Sequence, residues 1–143
     1  MWWFESRFEA AWSALTDLSA KLPPEPDDNA KEWGTVIYRV PFSDGSWGYC
    51  YQVPYISNIE RRWSPAGAHL YGEYGSFPVG YCHTHPNLTG FSSSDTAFVD
   101  AGPNKKGSVA YMVNRLGAYS YDGRNLEIPK SSRFKLLWGK WWD

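Results

Sequence analysis

The chain has 143 residues, with 14 Lys+Arg against 15 Asp+Glu and a formal net charge of -1, which suits one compact domain over 1–143. That charge balance gives no global electrostatic reason to bind nucleic acid or an anionic membrane, and 43% apolar with 20% charged residues argues against disorder for most of the length. Aromatic content is high, at 9 Trp, 10 Tyr and 7 Phe, yet no apolar run is long enough to span a bilayer.

The chain opens Met1-Trp2-Trp3-Phe4-Glu5-Ser6-Arg7, with an early acid, no basic stretch and no small-residue cleavage site before Lys21, so no signal peptide is expected. Phe4, Phe8, Ala11, Trp12, Leu15 and Leu18 recur at spacings of three and four with charged residues between them, which predicts an amphipathic helix within 1–20 that covers one face of a sheet. Its acidic polar side disfavours a role on anionic lipid. Residues 21–31 read as a connector, with three prolines before Asp28.

From Trp33 the pattern turns to β. Trp33 to Val40, the turn Ser43-Asp44-Gly45-Ser46, and Trp47 to Val53 form a hairpin signature. Residues 54–76 are rich in Pro, Gly, Ser and Tyr and read as a long loop, a candidate substrate-facing insertion. A strand over Phe77 to His83 follows, then a short helix from near Ser92. Strands are expected at Ser108–Val113, Ala118–Tyr121 and Leu126–Ile128, before an aromatic and basic tail over 129–143. Cys50 and Cys82 are too few for a disulfide scaffold and read as buried thiols, with one disulfide as the alternative.

The informative stretch runs from Gly80 to Asp95. His83 and His85 are one residue apart on an extended segment, so their side chains point to the same side and can share one metal. Asp95, ten residues beyond His85, would complete a two-His, one-carboxylate set with an open position, the layout of a catalytic zinc site. Such an ion lowers the pKa of a bound water to about 7 and polarises a carbonyl. The plainer reading of each piece is structural: isolated His-x-His pairs are common, and Ser92-Ser93-Ser94-Asp95 also fits a helix N-cap. Both readings hold together if the helix start fixes Asp95. Cys82 neighbours His83 on the strand and should face the opposite side, into the core.

His83-x-His85-Pro86, followed by Ser92-x-x-Asp95 and preceded by a glutamate at the start of an early strand, resembles the signature of the JAMM (MPN+/JAB) zinc metalloproteases. The resemblance covers roughly residues 30 to 115, although its specific part is these five positions with Pro86. It implies an α/β (α+β) fold of JAB/MPN type, with a mixed central β-sheet flanked by helices and a layout related to that of cytidine deaminases. It implies one Zn²⁺ per chain held by His83, His85 and Asp95, an intermediate stabilised by Ser92, and hydrolysis of a peptide or isopeptide bond, often beside ubiquitin-like modifiers. Glu32, in the context Glu32-Trp33-Gly34-Thr35, would be the general base; Glu73 is its rival.

Two features depart from the family: the His85–Ser92 interval is about one residue short of its commonest spacing, and residues 54–76 do not match the insertions of eukaryotic deubiquitinases. The texture is closer to divergent bacterial JAB-like modules, often effector domains of polymorphic toxins. That branch implies delivery into a target cell as part of a larger effector, with an immunity protein as partner; the alternative is a cytoplasmic enzyme. A catalytically inactive binding module of the same fold is the competing function. A zinc deaminase is excluded by the absence of H-x-E and P-C-x-x-C elements. No Lys/Arg cluster lies near His83 to Asp95, so neither nucleic acid nor membrane is expected as partner; Lys105, Lys106, Lys130, Arg133, Lys135 and Lys140 read as a solvated edge and tail.

Overall fold

The structure, a computed structural model of the full chain, describes residues 3–56, 63, 76–100, 108–122 and 126–127. Its first element is helix α1, Arg7–Ser19, which starts where Ser6 adopts an extended backbone and its Oγ accepts the Glu9 N–H at 3.1 Å. That cap corrects the expected helical placement of Phe4. Phe4 lies before the cap and pairs instead with Tyr49 as an isolated bridge, each backbone N–H donating to the other's carbonyl at 2.9 and 3.0 Å. Phe8, expected on the core face, is half exposed and packs edge-on against Trp12. The face that is buried is built from Ala10, Ala11, Ala14, Leu15 and Leu18, whose small alanines let the helix lie close to the sheet.

Among the described residues, seven strands follow: β1 (Trp33–Pro41), β2 (Trp47–Tyr51), β3 (Tyr55–Ile56), β4 (Phe77–Thr84), β5 (Val109–Asn114), β6 (Gly117–Tyr121) and β7 (Leu126–Glu127). Helix α2, Ser93–Asp100, lies between β4 and β5. The strands form one mixed α+β sheet in the order β2-β1-β4-β5-β6-β7, with β3 also paired to β1. Only β4 and β5 are parallel; every other pair is antiparallel. A parallel pair needs a crossover, and α2 is carried on it. β3 corrects the reading of 54–76 as wholly loop, because Tyr55 and Ile56 find ladder partners in Gly34 and Trp33.

One face of the sheet packs on α1 through Ile37, Val79, Cys82, Tyr111 and Val113. The opposite face carries Val36, Tyr38, Val40, Tyr81 and Trp63. Along β4, Val79 and Tyr81 would share a face in an unbroken strand. They do not, because the register jumps from Ile37↔Gly80 to Tyr38↔Pro78, leaving Val79 as an extra residue. The bulge sends Val79 and Cys82 toward α1 and Tyr81 toward the other layer. Cys50 and Cys82 are both buried and free, so the disulfide alternative is not realised. Among the described residues, no helix is long and apolar enough to cross a membrane. Glu73, the basic residues from Lys105 onward in the expected edge and tail, and the tail tryptophans lie outside the described residues.

Candidate metal centre

His83 is the next-to-last residue of β4 and His85 lies just past the strand's end; both are almost wholly buried. The backbone N–H of His85 donates to Val113 O at 2.9 Å, continuing the β4–β5 pairing one residue past the strand. Two imidazoles on alternate residues thereby face the same way, and their Nε2 atoms lie 2.8 Å apart. Helix α2 brings the carboxylate. Asp95 stands in its first turn, with Oδ1 3.2 Å from His83 Nε2 and Oδ2 3.2 Å from His85 Nε2. Ser92 holds it in place by a reciprocal cap: Ser92 N–H donates to Asp95 Oδ2 at 2.8 Å, and Asp95 N–H donates to Ser92 Oγ at 3.2 Å. The hydroxyl uses a lone pair there, which leaves its proton for another acceptor.

Glu32 precedes β1 on the strand adjacent to β4, where the register sets Gly34 opposite His83. Its Oε2 is 3.8 Å from His85 Nε2, and its Oε1 accepts the backbone N–H of Trp63 at 2.9 Å. The carboxylate is thus anchored by one oxygen and turned toward the histidines by the other. Glu32, His83 and His85 offer donor atoms within 4.8 Å of one another. All five residues singled out in the sequence therefore meet at one place.

The electrostatics follow from the crowding of lone pairs. Burial pushes the His85 imidazole toward its neutral form, but the Asp95 hydrogen bond and the Glu32 charge outweigh it, and the net shift is upward. Burial also works against the Asp95 carboxylate, yet hydrogen bonds from both histidines hold it far below the ordinary carboxylate range. Two imidazole nitrogens and a carboxylate aimed at one point are held together either by protons on the rings or by a shared cation. Two donors sharing one zinc can stand at most roughly 4.2 Å apart, twice a Zn–N bond. The observed 2.8 and 3.2 Å separations fall inside that limit, and the N,N,O donor set suits zinc.

Three further residues shape the centre that the sequence did not single out. Trp63 lays its indole on the His83 ring, nearly parallel at 14° with centroids 5.9 Å apart, and is itself buried. The indole rests on Gly34, where a Cβ would collide with it. A glycine inside a strand marks such close approach, but not which residue approaches. Thr89 and Asn114 form the second group: Thr89 O lies 3.1 Å from His85 Nδ1 and accepts from Asn114 Nδ2 at 3.2 Å. The short loop that carries Thr89 places Leu88 at φ 65, the left-handed region that side chains rarely adopt. Cys82, expected from the sequence to face away from His83, is directed into the α1 core, where burial pushes its thiol pKa well up.

No protein-family model, curated protein or solved structure matches the chain.

Proposed function

We propose that the chain is a zinc-dependent hydrolase of peptide or isopeptide bonds with a JAB/MPN-like fold. The observation that carries this reading is the convergence of His83 Nε2, His85 Nε2 and both Asp95 oxygens within 2.8 to 3.2 Å, with the Glu32 carboxylate directly beyond them. His83, His85 and Asp95 would hold the ion. When bound, zinc supplies a Lewis acid for the substrate carbonyl and makes water acidic enough to ionise near pH 7.

Glu32 is the proton carrier. Its Oε1 is fixed by the Trp63 amide, so Oε2 is the oxygen free to take a proton from the attacking water. The water oxygen bonds to the carbonyl carbon. As the C–N bond breaks, Glu32 returns the proton to the departing nitrogen, which leaves as the amine. Ser92, its Oγ already accepting the Asp95 amide, turns its hydroxyl proton toward the developing oxyanion. Buried walls of Trp63 and His83 exclude water from one side of the centre and strengthen these interactions.

Zinc content measured by elemental mass spectrometry tests the metal: about one zinc per wild-type chain, lost in His85→Ala, is expected. A folded wild type that takes up no zinc overturns the reading and leaves the binding module. Glu32→Gln should keep the zinc and lose turnover of any cleaved peptide or isopeptide; retained turnover removes Glu32 as the base. The effector setting has its own test, since expression of the wild type in a bacterial cytoplasm should arrest growth and Glu32→Gln should not.

A further inference from the structure

Asn114 ends β5 with its side chain almost wholly buried, so each polar atom needs a partner. Its Oδ1 accepts the backbone N–H groups of Leu116 and Gly117, at 2.8 and 3.1 Å, and closes the β5–β6 turn. That leaves Nδ2 facing the other way, where it donates to Thr89 O at 3.2 Å. The same carbonyl is 3.1 Å from His85 Nδ1. Thr89 Oγ1 is also 3.1 Å from Nδ1, but its proton goes to Asn87 Oδ1 at 2.7 Å. Among the described residues, every group facing Nδ1 is therefore an acceptor, so this side of the ring calls for a hydrogen on Nδ1. Nε2, turned toward His83 and Asp95, donates to that carboxylate when the ring is charged; with the hydrogen kept on Nδ1, it is the nitrogen whose lone pair would face a cation placed there.

We infer that Asn114 is a positioning residue for the centre: by holding the Thr89 carbonyl it fixes the tautomer and ring orientation of His85. The parallel register makes this reach short, because the His85 amide pairs with Val113, the neighbour of Asn114. Neither relative of asparagine can replace it. Aspartate keeps the turn acceptor but sets an oxygen against the Thr89 oxygen, and leucine strands both turn amides.

The effect on zinc rests on the metal reading above; the tautomer does not. Nitrogen-15 NMR of the metal-free wild type should show a proton on His85 Nδ1, slow to exchange because the Thr89 carbonyl accepts it. An Nδ1 without a proton overturns the inference without any variant. Asn114→Ser and Asn114→Asp keep an acceptor for the turn and remove the Nδ2 donor. Folded by amide-peak dispersion, they should show mixed His85 tautomers and bind zinc roughly 10- to 100-fold more weakly in competition with a chelator. A wild-type tautomer and unchanged zinc affinity in the folded variants would mean that Asn114 only closes the turn. Should the wild type bind no zinc, the metal reading falls while the tautomer measurement still decides the role of Asn114.

Discussion

The Asp95 carboxylate, shared by two imidazoles, makes the stability of the metal-free protein depend on pH in two directions. His85 is held above its ordinary pKa, so its contribution is complete below the unfolded value of about 6.5 and is lost as pH rises through the folded one. Asp95 is held below its ordinary pKa, so its contribution is complete above about 4 and is lost as pH falls. The metal-free melting temperature should thus decline on raising the pH above about 6.5. With zinc present the same interval should show a rise, because the ion takes the deprotonated rings. Two curves of the same slope, recorded by calorimetry, would show that no metal links to these histidines. The neighbouring indole gives a second test. Gly34→Ala drives a methyl group into the Trp63 ring and should cost about 1–3 kcal/mol in urea denaturation, where an unchanged midpoint would contradict the stacking.

Helix α2 begins at the centre and owes its start to the same residue that the chemistry would use. Ser92→Ala removes the acceptor for the Asp95 amide and should destabilise the protein by about 1 kcal/mol, while Ser92→Thr should restore both stability and zinc affinity. A Ser92→Ala variant with unchanged stability and zinc affinity would mean that Asp95 is held in place without the cap. This local coupling explains what the sequence made legible. His83, His85, Ser92 and Asp95 lie within one strand, loop and helix start, where periodicity and capping rules operate over a few residues. Glu32 was legible only through the resemblance to the metalloprotease signature, and its meeting with the histidines depends on the Gly34↔His83 register. Trp63, Thr89 and Asn114 were not legible, because each joins the centre through a contact between segments whose pairing no local pattern states. Phe4 was misread for the opposite reason: its spacing fits the helix, but Ser6-x-x-Glu9 is a capping signal that outranks the spacing. In the loop between His85 and Ser92, Leu88 adopts a backbone that glycine would ordinarily supply, which no local pattern in the sequence announces.

Across the molecule, the sheet separates two kinds of interior. The α1 side is apolar and holds Cys82, with Cys50 buried on the opposite layer, and burial raises both thiols. Neither should react with an aromatic disulfide reagent in the native protein, and both should react on unfolding, so labelling reports opening of the whole fold. Rapid reaction of one thiol before unfolding would place that cysteine in a locally opening layer.

The crossover through α2 also sets the order in which the centre can exist. A chain leaving the ribosome carries both histidines well before Val113 and Asn114, the residues that seat His85, have emerged. Until β5 pairs alongside β4, Asp95 has no fixed position opposite the two rings. A nascent chain therefore lacks the gathered His83, His85 and Asp95 side chains until synthesis has passed the β5–β6 turn.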